Sequence, residues 1–450
     1  MLQFASLLIA TAMLAFLPYA PVAQAANTAA LLEIESAIGP ATTEYVSDGF
    51  EEAHRRKAEL IVLRLDTPGG LASAMRDVIQ EILESSIPVI AFVGPSGARA
   101  ASAGTYIVYA SHVAAMAQGT HLGAATPVQL GGNFGKGEKE EKEKGGDRQP
   151  RSAGEAKAIN DAAAYIRGLA ELRRRNADWA EQAVRRGEAL TATEALSEGV
   201  VEIIAKDVPD LLAKIDGRIV RINDQERKIE TTGMAVVPIE ANWRTRFLAT
   251  ITDPNIAYIL MLIGIYGLLF EFISPGTVIP GVVGGIALLI GLYALNLLPI
   301  NYAGACLLLL GIALMVTEAF LPSFGVLGIG GAAAFAIGSV LLFRGEVPGF
   351  ELSWSVIGMT TVGSLAFLVV ALAAVLRAHR RTVTTGDAAL LGSAGQVLTW
   401  TDGEGEVLVE GERWHGKSAS HLRPGQRVRV VERRDLTLLV KSDSETKSQA

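Results

Sequence analysis

Ser102 stands in a run of residues too small to hide it, Gly97-Ala98-Arg99-Ala100-Ala101-Ser102-Ala103-Gly104-Thr105-Tyr106-Ile107. Small side chains let a backbone turn sharply and bring its N–H groups to a ligand, and the apolar residues after it read as a buried helix. A hydroxyl at a helix N-terminus is a nucleophile on display. The same residues also fit an ordinary small-residue turn leading into a core helix. Acyl transfer would need two more things: donors for the oxyanion and a base for the hydroxyl. Pro68-Gly69-Gly70 is a second glycine loop that a substrate carbonyl can approach, so backbone donors are expected from Gly69 or Gly70 and from Ala103. Taken alone, that tripeptide is also a plain β-turn.

The base is harder to find. His112 and His121 are the downstream histidines of this region and His54 lies upstream in a helix; none forms a motif with Ser102 and an acid. A lysine made neutral by burial is the other option, because desolvation disfavours the ammonium form. Lys157 sits near the start of an amphipathic helix, Glu155–Leu172, whose Ala158, Ala162, Tyr165, Ile166 and Leu169 form an apolar face. Residues 131–154 carry the run Lys136 to Lys144, are Gly-rich, and lack aromatics after Phe134, so they read as a solvated, disordered loop. Mobile, exposed lysines there make poor bases. Spacing alone leaves the base unassigned.

The elements that must hold these groups alternate. Leu31–Ile34 reads as a short strand, 42–57 as a helix, and Leu60–Leu65 as a buried strand ending at Asp66. Ala72–Ser85 has a helical apolar face of Met75, Val78, Ile79, Ile82 and Leu83, and Ile87–Val93 is the next strand. That pattern predicts a parallel sheet with right-handed crossovers, and both glycine loops follow strands at the same end of it. Ligands bind at that end of open α/β sheets. Residues 190–201 read as a capped helix, a glycine stop and a strand.

The whole chain has 450 residues, is 50% hydrophobic and carries a formal net charge of −7. The apolar excess, which gives a mean hydropathy of +0.33, is concentrated at the extreme N-terminus and between about residues 254 and 378. A membrane protein with soluble ends is implied. The modest charge argues neither for a nucleic-acid partner nor for a strongly acidic one. One cysteine, Cys306, falls in an apolar span and leaves no disulfide framework or thiolate metal site. Phe4 to Leu17, Pro18 and Ala23-Gln24-Ala25 make residues 1–25 a secretory signal peptide, or an uncleaved anchor given the absence of Lys and Arg before the apolar core. Either exports the α/β region after it.

Asp66-Thr67-Pro68-Gly69-Gly70, Ala100-Ala101-Ser102-Ala103-Gly104-Thr105-Tyr106-Ile107 and Thr191-Ala192-x-Glu194-Ala195-x-x-x-Gly199-Val200 together resemble the ClpP/crotonase superfamily. More closely, the chain resembles the long form of the NfeD membrane proteins, the stomatin operon partner or membrane-bound ClpP-class serine proteases. The resemblance covers nearly the whole chain. It implies that Ser102 is the nucleophile and, from Ala164-Tyr165-Ile166-Arg167-Gly168-Leu169-Ala170 ending the helix that the partner lysine opens, that Lys157 is the base. It also implies cleavage in a hydrophobic segment near the C-terminus of a stomatin-like membrane partner; a homo-oligomer, at least a dimer, is expected. A catalytically silent scaffold for a stomatin-like assembly is the alternative. No cofactor and no metal are expected.

Apolar stretches at about 255–273, 277–299, 302–321, 324–343 and 354–376 each approach bilayer length, giving about five spans. An exported N-terminus then places the C-terminus in the cytoplasm, with Arg377, Arg380 and Arg381 on the inner side of the cytoplasmic (inner) membrane of a prokaryote. Trp243 and Phe247 suggest an interfacial segment before the first span. Glu271 to Pro275 followed by Gly284-Gly285 looks like a copy of Glu318 to Pro322 followed by Gly330-Gly331, a duplicated helical hairpin. The glutamates are read as span ends that reach interfacial water, and the four glycines as sites of close helix packing. From residue 389 to 441, short strands with turn residues between them form a small OB-like β-barrel, and residues 442–450 read as a disordered tail. The barrel's arginines lack an aromatic stacking platform, which favours protein docking over nucleic acid. The expected domains are therefore residues 1–25, a signal peptide; 28–235, an α/β ClpP/crotonase-like domain; 254–378, a membrane domain; and 389–441, the barrel.

Overall fold

The computed structural model describes residues 27–127, 153–223, 225–273, 275–321, 323–343, 347–379 and 390–443. The signal peptide and nearly all of the charged 131–154 segment lie outside them; Ala153 and Gly154 open a helix. In chain order the first elements are β1 (Thr28–Ile34), α1 (Pro40–Arg55), β2 (Leu60–Leu65), α2 (Ala72–Glu84), β3 (Val89–Val93), β4 (Arg99–Ala101), α3 (Ala103–Ala110), β5 (Val113–Met116) and β6 (His121–Gly123). After these come α4 (Ala153–Arg173), α5 (Ala177–Arg185), β7 (Ala189–Thr191), α6 (Ala192–Ser197), β8 (Ile203–Ile204), α7 (Val208–Ile215), β9 (Ile219–Ile222), β10 (Gln225–Lys228) and β11 (Ala235–Pro238).

The alternation read from the sequence produces a six-stranded sheet in the order β11-β1-β2-β3-β5-β8, every pair parallel. β3 is fully buried and β2 nearly so, as expected of strands covered on both faces. Each apolar side chain moved out of water here contributes about 1.5–3 kcal/mol. Close packing fixes the spacing of the layers: a Cβ built on Gly49 of α1 would lie 2.4 Å from Leu32 Cδ2 of β1. A second, small sheet, β4-β6-β7, stands beside the C-terminal ends of β2 and β3. It is joined to the first by the bridge Thr67 to Ala100. This is where both glycine loops emerge.

One helical face is rotated relative to expectation. The residues of α4 that are buried are Ile159, Ala163, Ile166, Leu169 and Ala170, whereas Ala158, Ala162 and Tyr165 are only half-buried. Alanine has little transfer energy to fix a phase, so Ile159 and Ile166 decide which side turns inward.

α8 (Trp243–Ile251) comes next, with Trp243 and Phe247 exposed, and packs on α1 through Asn242 and Thr245, both bonded to Asp48. Five apolar helices complete this region: α9 (Pro254–Ile273), α10 (Ile279–Leu297), α11 (Tyr302–Phe320), α12 (Val326–Leu342) and α13 (Trp354–His379). By length and composition, two of them, α9 and α10, are sufficient to cross a membrane, and the other three contain shorter apolar stretches. The expected duplication is visible in the packing. A Cβ on Gly264 would meet Leu288 and one on Gly291 would meet Met261; forty-seven positions later, Gly311 meets Phe335 and Gly338 meets Leu308. Gly284 and Gly331 pack this way, but Gly285 and Gly330 face open space, which corrects the expectation for half of the glycine pairs. Glu271 accepts hydrogen bonds from Gly276 N–H and the Thr277 hydroxyl, closing the turn of its hairpin.

The C-terminal unit is a closed barrel, β12 (Ala394–Thr401), β13 (Glu404–Val409), β14 (Glu412–Lys417), β15 (Arg427–Arg434) and β16 (Thr437–Ser442), in the order β12-β13-β14-β16-β15. Val397, Val407, Val409, Val428, Val430, Leu438 and Val440 fill it. Ser442, expected in a disordered tail, instead ends the last strand, where it is buried.

Candidate active site

Ser102 is the residue before α3 and has φ 49° and ψ −114°, in the positive-φ region that non-glycine residues rarely adopt. Such a conformation costs about 1–3 kcal/mol and persists only where its surroundings over-determine it. They do so through backbone bonds on both sides. Ser102 N–H donates to Gly123 O at 2.9 Å, and Ala101 N–H donates to Thr67 O at 3.1 Å. Thr67 N–H in turn donates to Arg99 O, and Arg99 N–H donates to the Asp66 carboxylate. The Thr105 hydroxyl lies 2.8 Å from Ala100 O and accepts Gly123 N–H at 3.0 Å, tying the first turn of α3 to the strands on either side. Gly104 must be glycine, since its Cβ would lie 2.7 Å from Thr67 Cγ2.

The second glycine loop abuts the serine. Gly69 has φ +123°, and a Cβ there would fall 2.8 Å from Ser102 Cβ and 3.3 Å from its Oγ. The Gly69 N–H donates to the Thr67 hydroxyl, so it is already used. Gly70 N–H has no hydrogen-bond partner among the described residues, and Ala103 N–H belongs to the first turn of α3, where helix geometry provides none. A Cβ on Gly70 would collide with Ile38 O at 2.1 Å. Ile38 N–H donates to Gly69 O and Leu71 N–H donates to Ile38 O, both at 2.8 Å, so residues 37–39 form a strap along the loop.

At the far end of α3 the electrostatics are reversed. Arg175 donates to Val108 O and Tyr109 O, Arg173 donates to Ala110 O, and Glu202 pairs with Arg175 at 2.8 Å. These cations satisfy the last carbonyls and the negative end of the helix dipole, leaving its positive end at Ser102. His112 lies at this closed end: Nδ1 accepts Val89 N–H, and burial, reinforced by Arg173 and Arg175, pushes its pKa down to about 3. It is neutral and a helix length from Ser102. His54 is bonded to Phe50 O and Ser86, and His121 is exposed on β6 opposite Arg99. None of the three is hydrogen-bonded to Ser102 among the described residues.

α4 docks on the site by aromatic contacts. Tyr165 stacks on Tyr106 with ring centroids 6.2 Å apart, Arg76 lies 4.5 Å over Tyr165, and Arg76 pairs with Asp161 at 2.6 Å. Burial raises the Tyr106 hydroxyl well above the ordinary tyrosine range, so it is no acid or base near neutrality. Lys157 lies one turn before Asp161 and two before Tyr165, roughly 6 and 12 Å along the axis. Its side chain is exposed and makes no hydrogen bond or ion pair among the described residues. Gly69, Gly70, Ser102 and Ala103 are therefore brought together, while Lys157 is bonded to none of them. Reading the sequence alone misses Thr67, Thr105 and Gly123 as positioning residues. The two threonines lie inside the sequence motifs, but nothing there marks their hydroxyls as structural.

Three family models match the chain: NfeD1b, N-terminal domain, over residues 29–224; NfeD integral membrane domain over 255–374; and NfeD-like C-terminal, partner-binding domain over 387–441. The chain is similar to the membrane-bound protease PH1510 of Pyrococcus horikoshii, at 36% identity over 88% of this chain and 90% of that protein. It is also similar to the membrane protein NfeD1b of Bacillus subtilis, at 27% identity over 86% of each. Among solved structures, a lysine-to-alanine variant of the 1510-N membrane-bound stomatin-specific protease in complex with a substrate peptide is 34% identical, covering 51% of this chain and 99% of that chain, with a TM-score of 0.44. The C-terminal domain of stomatin operon partner protein 1510-C from Pyrococcus horikoshii is 34% identical, covering 13% of this chain and 95% of that one, with a TM-score of 0.13.

Proposed function

The chain belongs to the long-form NfeD family of membrane proteins, and from that premise we propose that it is a membrane-anchored serine endopeptidase with Ser102 as nucleophile and Lys157 as base. One observation carries this reading: a serine held at positive φ on the open N-terminus of a helix, against a glycine loop. Ser102 Oγ attacks the scissile carbonyl while the neutral Lys157 amine takes its proton. The oxyanion that forms is met by Gly70 N–H and Ala103 N–H, the candidate donors not already engaged. Lysine then gives the proton to the leaving amine, and water, deprotonated in its turn, releases the acyl group from Ser102.

An exposed lysine has to be desolvated to act as a base. We assign that role to substrate, or to a second copy of the chain, covering the start of α4. The proposed substrate is a hydrophobic segment of a stomatin-like membrane partner, which suits a site connected to a bundle of apolar helices. The protease domain is placed on the exported side behind a signal peptide at 1–25, and the barrel, read as an OB-like docking module, in the cytoplasm. Within the barrel Arg433 stacks over Trp414, Arg429 pairs with Asp443 and Arg434 with Glu432, which leaves fewer cations for nucleic acid.

The test is cleavage of a peptide taken from the apolar C-terminal region of a stomatin-like protein by the full chain in detergent or vesicles. Cleavage by the native chain and none by Ser102→Ala is expected. Equal cleavage by both excludes Ser102 as nucleophile, and none by either, with partner binding intact, favours the scaffold.

A further inference from the structure

The connector between α12 and α13 reaches the nucleophile site. A Cβ on Gly349, whose φ is +88°, would lie 2.6 Å from Ala37 Cβ and 3.5 Å from Pro68 Cγ. The Phe350 ring presses on Gly39, whose Cβ would lie 3.0 Å from its Cζ. Val347 and Phe350 are 6% and 7% exposed, so this is a packed contact in which two apolar side chains have left water. The connector thus touches both ends of the strap 37–39 and the proline that begins the glycine loop. Between those contacts lie the bonds Ile38 N–H to Gly69 O and Leu71 N–H to Ile38 O, with Gly70 between them. On its other side the connector is fixed to the helices. Ser353 N–H donates to Asn255 Oδ1 at 2.9 Å beside the start of α9, and the Tyr258 hydroxyl bonds Ser339 of α12 and Thr360 of α13.

We propose that Gly349 and Phe350 are positioning residues for catalysis: they clamp the 37–39 strap, and through it hold Gly70 N–H where the oxyanion forms. The reactivity of Ser102 then depends on the arrangement of the membrane helices. Gly349 is required for its approach to Ala37, and Phe350 supplies the bulk that keeps the strap seated on Gly69 and Leu71. A small shift of the strap moves a donor out of hydrogen-bond range of the oxyanion, and losing one such donor slows acyl transfer roughly 10²- to 10³-fold.

This rests on the proposed role of Ser102, and the experiment separates the two. Full-length protein in vesicles is compared as native chain, Phe350→Ala, Phe350→Leu, and Trp354→Ala, the last an exposed position at the start of α13. Two quantities are read: amide hydrogen exchange of residues 37–39 and 69–71, and the rate at which a fluorophosphonate labels Ser102. Phe350→Ala is expected to speed exchange at Ile38 and Leu71 and slow labelling at least tenfold. Leucine should restore most of both, and Trp354→Ala should change neither. Unchanged exchange and labelling in Phe350→Ala overturns the clamp. Faster exchange with unchanged labelling reduces it to a structural contact, overturning the catalytic part. If the native chain is not labelled at all, the nucleophile reading fails, and exchange alone decides whether the clamp exists.

Discussion

The two halves of the proposed dyad are built in opposite ways. Ser102 is held by its backbone bond to Gly123 and by that of Ala101 to Thr67, abutted by Gly69, and placed on a helix whose far end is closed by two arginines. Lys157 is an exposed side chain near the start of α4, a helix held to the domain by its buried Ile159, Ala163 and Ile166 and by Tyr165 and Asp161 further along. A nucleophile needs its angle fixed in advance, because a strained φ persists only inside a finished network. A lysine base needs water removed, and that can wait for substrate. The chain accordingly keeps the serine end preassembled and leaves the lysine end open.

Changes at the two ends should therefore fail differently. Ser102→Ala, the largest effect, is expected to reduce cleavage at least 10³-fold with the melting temperature unmoved, read by peptide cleavage and thermal melting. Lys157→Ala should cost about 10²- to 10⁴-fold in activity while changing stability by less than about 0.5 kcal/mol, since the side chain is exposed and makes no hydrogen bond or ion pair among the described residues. A stability loss as large as that of a core mutation would show that Lys157 is buried in the working assembly. Gly104→Val should destabilise by about 1–3 kcal/mol and lower activity too, because its side chain enters the space of Thr67 Cγ2.

His112 sharpens the contrast from the closed end. Its folded pKa is depressed to about 3 from 6.5, so between those values the unfolded chain binds a proton that the folded chain does not. Stability is therefore fully present above 6.5 and falls as pH drops through that window. His112→Gln should flatten the decline of melting temperature between pH 6.5 and 4 without creating or removing a limb in the pH profile of cleavage. The smallest effect is expected at Gly168 on α4, where an added Cβ meets open space: Gly168→Ala should stabilise by up to about 1 kcal/mol in chemical denaturation and leave catalysis unchanged.

How much of the molecule is legible in its sequence divides along the same line. Alternating apolar strands and amphipathic helices predict a parallel sheet, and it is parallel throughout. The small residues around Ser102 predict a tight turn, because no other residue types would fit there. The hidden features are carried by single atoms: locally the Thr67 hydroxyl taking the Gly69 amide, and at long range Gly123 receiving Ser102 and Phe350 arriving from more than three hundred residues along the chain. The phase of α4 differs from expectation because alanines weigh too little to set it. In the membrane region the repeat of acid, proline and glycine predicts two similar hairpins, yet no pattern says which glycine of each pair faces its partner helix.

The most direct test is to locate a fluorophosphonate adduct by mass spectrometry on the full chain in vesicles, as native protein and as Lys157→Ala. The predicted result is a single adduct on Ser102, formed at least a hundredfold more slowly without Lys157. An adduct on another residue, or equal labelling of Ser102 in both proteins, would contradict the Ser102–Lys157 pair.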